Sequence, residues 1–322
     1  NFFEFYSLFL FSLLSLLFLI SSCDFLSIYL SIEMQTLCFY VLATIKRNST
    51  FSTEAGLKYF ISGSFFSGVF LFGISILYGS LGTLNIYHLN LLLSYMINSF
   101  DVEIGIRYII DISIICIFTT LLFKIGCAPF HFWVPDVYEG APLSSTIIVS
   151  VIPKIAIFYT FVRIVSSSNY FFVDLREMIL LFGLLSTLIG SLFALTQSRL
   201  KRLLLYSSIA QIGFLVVALG INSVQSITSL YFFLIIYLIS SLLVWGHLAS
   251  FLSFQSEVTL FNSKLCSTLL LSNITNFFRF HPLWAFSFSI IFFSIGGIPP
   301  LTGFTAKFLI LLEVVNAEFF FL

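Results

Sequence analysis

One glutamate and four lysines stand where chains seldom carry charge. Glu33 lies in Ser31-Ile32-Glu33-Met34 within an apolar run, and Lys58 opens another. Lys124 is near the end of a third run, Lys154 is at the middle of a fourth, and Lys307 follows the break Gly296-Gly297-Ile298-Pro299-Pro300. A charge at the centre of a bilayer costs at least about 2.5–3.5 kcal/mol on insertion scales, so each of these groups is a functional candidate by default. Burial favours the neutral amine and a nearby carboxylate favours the ammonium, so moving a carboxylate changes whether a lysine holds its proton. The chemistry this implies is proton transfer. His131, in Pro129-Phe130-His131-Phe132-Trp133, adds a group that titrates near neutrality. His88, His247 and His281 have weaker claims, and His281 reads as a loop residue.

Each candidate also has a plainer reading. Lys58 and Lys124, near the ends of their runs, can snorkel to the interface. Glu33 and Lys154 can form a structural ion pair, and His131 can be a hydrogen-bonded interfacial residue. For Lys201-Arg202, between two apolar runs, the plain reading prevails: a loop that sets orientation.

The surroundings of these residues define the class of protein. Of 322 residues 59% are hydrophobic and 9% charged, with 14 charges of each sign. A soluble chain carries roughly 25% charge, so this one belongs in a bilayer. No basic stripe exists to meet a phosphate backbone, which argues against nucleic acid as a partner. The five cysteines form no C-x-x-C pair, and no dinucleotide, Walker or metal-binding pattern occurs. No cofactor or metal is therefore expected on this chain. Phe occurs 43 times against 17 Gly and 7 Pro. Phe codons are AT-rich and those of Gly and Pro GC-rich, so an organellar gene is expected.

About 20 apolar residues cross a bilayer core as a helix. Nine runs qualify, at 3–21, 25–45, 57–79, 105–127, 142–164, 177–198, 203–221, 227–252 and 283–316. The last is too long for one span and is read as a helix broken at Gly296–Pro300. The fourth runs into Pro129 and continues as a short amphipathic piece, Phe130 to Tyr138. Segments 84–98 and 258–280 are too polar to span and are placed at an interface or in loops. Pro153, just before Lys154, offers no N–H to the carbonyl of Val149, and Pro299-Pro300 frees further carbonyls. In hydrocarbon such groups need other partners or a wet cavity, and breaks beside buried lysines are how ion transporters build midplane sites. The expected fold is all-α: a polytopic transmembrane bundle of about nine spans with two broken helices.

Alternating the loops between the two faces separates the remaining charges. Lys46, Arg47, Arg199, Lys201, Arg202, Lys264 and Arg279 fall on one face with Glu54, Asp136, Glu139 and Glu257. The other face holds Arg107, Arg163 and Arg176 with seven acidic residues, Asp24, Asp101, Glu103, Asp174, Glu177, Glu313 and Glu318. By the positive-inside rule the first face is cytoplasmic or matrix.

The run from Lys124 to Pro142, KIGCAPFHFWVPDVYEGAP, resembles the broken-helix signature of the antiporter-like subunits of respiratory complex I. Lys154-Ile-Ala-Ile-Phe158, the segments 54–60 and 197–209, and Gly297-Ile-Pro-Pro-Leu-Thr-Gly-Phe-Thr-Ala-Lys-Phe308 are similar to the same family. The resemblance covers residues 25 to 312 and implies a proton channel of two inverted five-helix repeats, 25–164 with Glu33, Lys124 and Lys154, and 177–322, incomplete, with Lys307. It implies that Glu33 pairs with Lys124, that Lys58 belongs to the same row, that Lys154 is the central connecting lysine, and that Lys307 is the distal one. His131 matches the family's histidine. The spans correspond to the fourth through twelfth of fourteen family helices, so a split or shortened gene is expected, with neighbours or a separate chain supplying the rest. Two further antiporter-like subunits and lipids are the implied partners. NADH, FMN, iron–sulfur clusters and ubiquinone are expected on other subunits, and the location is the mitochondrial inner membrane. A subunit of a multi-subunit cation/proton antiporter is the alternative. A purely structural spacer is disfavoured, because it has no reason to keep five costly embedded charges.

Overall fold

The computed structural model describes residues 2–98, 104–167, 169–258 and 281–317; among them are twelve helices and no strand. Eight helices are long and apolar enough to cross a membrane: α1 (Phe2–Ser21), α2 (Phe25–Ala43), α3 (Thr50–Leu81), α5 (Ile104–Ile125), α7 (Leu143–Ser167), α8 (Asn169–Leu195), α9 (Leu200–Ile221) and α10 (Val224–Val258). The chain is a multi-pass membrane protein. The ninth expected span, 283–316, is two helices of 15 residues each, α11 (Pro282–Gly296) and α12 (Thr302–Asn316), separated at Gly297–Leu301. The amphipathic piece expected at Phe130–Tyr138 begins and ends slightly later, as α6 (Trp133–Gly140). Segment 84–98 contains the 13-residue helix α4 (Ile86–Asn98), which packs on α7 and buries Leu89 and Leu93. Nearly all of 258–280 lies outside the described residues.

The helices turn the usual soluble pattern around. On α1, Phe3 is 91% exposed and Leu10 60%, whereas Ser12 and Ser15 are buried. Lipid accepts the large apolar side chains, while small residues let helices approach closely. Burying the serines leaves nothing unsatisfied, because each hydroxyl donates to the carbonyl three residues earlier: Ser12 to Phe9 at 2.7 Å and Ser15 to Ser12 at 2.6 Å.

The chain divides into two compact units, Asn1–Leu181 and Phe182–Leu322. In the first, α1 packs along α2, α3 along α5, and α7 touches α1, α2 and α5. Three polar ties in the first unit join loops that the alternation places on one face. Asn85 Nδ2 donates to Asp24 Oδ1 at 2.9 Å and Arg163 Nη1 to the Ile20 carbonyl at 2.9 Å, both on the acid-rich face. Lys58, beside Glu54, reaches Asp136 on the opposite face. In the second unit α10 packs against α9, α11 and α12, and Ser223 Oγ donates to Glu313 Oε2 at 3.2 Å.

Candidate proton-transfer site

The first helix break sets the site. Helix α5 stops at Gly126, whose φ of +83° suits a residue without Cβ. Its N–H reaches Leu122 O at 3.1 Å and Phe123 O at 3.0 Å, while the N–H of Cys127 reaches Leu122 O at 3.1 Å. Lys124 is thereby fixed in the last turn of a helix ending among other helices. The chain returns as α6, and the indole of Trp133 donates Nε1–H to Phe123 O at 3.0 Å, so the carbonyl that takes the Gly126 N–H at the break gains a second donor from a buried side chain. Trp133 is placed by stacking on Tyr59 of α3, with ring centroids 4.8 Å apart and planes 10° from parallel.

Lys124 lines two small cavities, each with room for about one water molecule. In the first it meets Glu33 of α2, with Tyr29, Ser67 and Thr120 also in the wall. In the second it meets Lys154 of α7, with Gln35, Trp133 and Tyr138. Lys154 is 4% exposed. Glu33 Oε1, Gln35 Oε1 and Lys124 Nζ are buried atoms without a hydrogen-bond partner. These three belong to residues lining the two cavities, while others of the kind lie at Tyr40, Thr83, Asn90, His131, Arg163 and Arg176. The arrangement can hold a proton at three successive groups: carboxylate, amine, amine.

Pro153 shapes the end of this path. The Val149 carbonyl, left without its helical donor, accepts a hydrogen bond from Tyr138 Oη at 3.3 Å. The phenol that meets this sequence-predicted need comes from α6, across the same cavity.

Lys58 is not brought to this cluster. Its ammonium lies 2.9 Å from Glu54 Oε1 and 3.0 Å from Asp136 Oδ2, and its side chain is 48% exposed. Helix α3 has 32 residues, about 48 Å against about 30 Å of hydrocarbon. The helix is therefore longer than a crossing needs, and Ser67, in the wall beside Glu33, is about 13 Å further along it than Lys58. Lys58 ties the start of α3 to α6. Exposed pairs contribute little, so Lys58→Met is expected to lower proton translocation by no more than about fivefold. Proton uptake by membrane vesicles checks this, and a loss as deep as that of Lys124→Met would return Lys58 to the row of relay groups. His131 is 5% exposed and stacks on Phe132 at 4.7 Å, but it is not among the residues lining either cavity.

In the second unit Lys307, on α12, turns back to the end of α11. Its Nζ donates to Ile295 O at 2.7 Å and Gly296 O at 3.3 Å and lies 5.5 Å from the centroid of the Phe214 ring. A cation at a helix C-terminus meets both the bare carbonyls and the negative end of the helix dipole. The approach depends on Gly303, where any Cβ would overlap the Ser294 carbonyl oxygen. The carbonyls freed by the second break thus have a charged partner.

The family profile described as "NADH:quinone oxidoreductase/Mrp antiporter, TM" matches residues 22–322. The chain belongs to this family. It is 37% identical over 320 residues to NADH-ubiquinone oxidoreductase chain 2 of Oenothera berteroana, covering 99% of this chain and 62% of that one. It is 35% identical over 319 residues to NADH-quinone oxidoreductase subunit N of Paramagnetospirillum magneticum, covering 98% of this chain and 62% of that one. This antiporter-family chain thus spans about three fifths of the length of both relatives. Among solved structures, a chain of "Respiratory complex I from Thermus thermophilus with bound Aureothin" matches with a TM-score of 0.77 and 29% identity, over 98% of this chain and 64% of that one. A chain of the Mrp complex from Dietzia sp. matches with a TM-score of 0.81 and 19% identity, over 97% of this chain and 55% of that one, and so shares the fold alone.

Reading the sequence by charge alone passed over Gln35, Trp133 and Tyr138, which carry no charge at neutral pH. The signal for Tyr138 was nevertheless present, since Pro153 leaves a buried carbonyl in need of a donor. Only the fold shows which donor meets it.

Proposed function

We propose that this chain is a proton-translocating membrane subunit of an NADH:quinone oxidoreductase, of the kind called chain 2 or subunit N. The observation that carries the reading is Lys124, shared by the cavity of Glu33 and the cavity of Lys154. Quinone chemistry elsewhere in the complex shifts the pairing of Glu33 with Lys124. Lys154 then passes the proton on, and Lys307 exchanges it with the acid-rich face. His131 stands beside this path at the first break. The segments 25–164 and 177–322 act as two repeats of the channel, and the lysine- and arginine-rich face is the matrix side of a mitochondrial inner membrane.

In this reading the chain binds no cofactor. NADH, FMN, iron–sulfur clusters and ubiquinone belong to other subunits, with two further antiporter-like subunits and lipids as neighbours. The names of the sequence relatives support an oxidoreductase over a stand-alone cation/proton exchanger. The test is to purify the complex that contains this chain and rebuild it in vesicles. NADH with a quinone should drive proton movement that stops when the quinone is withheld. Sodium- or potassium-driven proton exchange in a complex that oxidises no NADH would overturn the assignment.

A further inference from the structure

Resting on that reading, we propose that Tyr138 is a further proton-relay residue, its phenol carrying the proton between Lys124 and Lys154. Both lysines and Tyr138 line one cavity with room for about one water molecule, and Tyr138 is buried. Gln35, Thr36, Tyr59 and Trp133 also line this cavity; of these, Trp133 holds its N–H on Phe123 O at 3.0 Å, and Thr36 holds its hydroxyl proton on Glu33 O at 3.1 Å within α2. Neither is free to hand that proton on without undoing local structure. Tyr138 differs in that its bond to Val149 O, at 3.3 Å, is longer than the roughly 2.5–3.0 Å of a firm O–H···O bond. Of the three bonds it is the one most readily given up, and the phenol oxygen still has lone pairs to accept a proton.

The step balances without an oxidant or a leaving group. The ammonium of Lys124 gives a proton, directly or through one water, to the phenol oxygen of Tyr138. In the same event the phenol's own proton leaves Val149 O for the neutral amine of Lys154. Tyr138 ends as a neutral phenol, and a turn about its C–O bond restores the bond to Val149. The phenol also explains why the tyrosine sits on α6: the helix that follows the first break delivers a hydroxyl to the place where Pro153 has opened α7 beside Lys154.

The competing account is that Tyr138 only caps the Val149 carbonyl. Tyr138→Phe removes both functions, but Pro153→Ala returns an N–H to Val149 O and so supplies the cap without the phenol. The experiment uses the assembled complex in membrane vesicles and reads proton uptake per NADH oxidised for Y138F, P153A, the double variant and K154M. The expected result is at least a tenfold loss in Y138F that persists in the double variant. Recovery in the double variant, or normal uptake in Y138F, overturns the proposal. Normal uptake in K154M overturns the relay reading itself, whatever Y138F does. Should P153A alone lose uptake, 3,5-difluorotyrosine at position 138 keeps the hydroxyl and its bond while making the phenol more acidic. The pH profile of uptake then shifts if Tyr138 carries the proton, and an unshifted profile overturns the proposal.

Discussion

Replacing Lys154 by methionine is expected to lower proton translocation at least about 100-fold, the scale lost when a positioned proton-transfer group is removed. The side chain is 4% exposed and faces the cavity that also holds Lys124. Methionine has a similar length and is apolar, so it fills the space and relieves the cost of a buried amine. Assembly should therefore survive, and the amount of complex on a native gel separates loss of transfer from loss of folding. Lys154→Arg sharpens the result. Arginine retains a positive charge but does not release its proton, so it too should be inactive. Pumping that persists in Lys154→Met within an assembled complex would remove Lys154 from the path.

Lys307 should respond differently to the same pair of substitutions. Methionine there removes the donor to Ile295 O and Gly296 O, and a carbonyl left unpaired where no water can replace the donor costs about 1–3 kcal/mol. Both heat resistance and proton translocation should fall. Arginine supplies donors and charge to the end of α11 but cannot give up a proton. The expected outcome for Lys307→Arg is near-normal thermal stability with translocation lost. Thermal inactivation of the complex and proton uptake, read side by side, check it. Full uptake in Lys307→Arg would leave Lys307 as a helix cap only.

Much of this architecture was legible because lipid imposes few rules and enforces them strictly. Apolar runs of sufficient length became helices, and Pro129 and the run Gly296–Pro300 marked where helices break. The boundaries were less legible. Helix α3 starts at Thr50, well before the apolar run at 57, because Thr50 to Gly56 can continue a helix beyond hydrocarbon at no cost that hydropathy registers. Lys58 lies among the early turns, about 13 Å along the helix from Ser67 in the wall beside Glu33. From sequence it resembles a relay lysine; folded, it faces Glu54 and Asp136. Position within a run indicates depth only when the helix ends with the run. Glu33, Lys124 and Lys154 reach the walls of two adjoining cavities because α7 packs against both α2 and α5, which periodicity cannot express. Neutral donors such as Trp133 and Tyr138 were invisible to a search for charge, though the Val149 carbonyl that Tyr138 serves was countable from Pro153.

The two breaks end alike, with glycines at φ of +83° and +82°, yet they are fastened by different chemistry. At Phe123 the fastener is an indole N–H, which holds its hydrogen at any pH a cell meets. That joint has the same stiffness whether the neighbouring amines are loaded or empty. At Ile295 and Gly296 the fastener is the Lys307 ammonium, a group that in this reading gives up its proton in each cycle. An amine holds a carbonyl less firmly than an ammonium does, so this joint slackens when unloaded and tightens when reloaded. In that reading the first break is a fixed joint, and the second is a latch whose grip depends on proton occupancy.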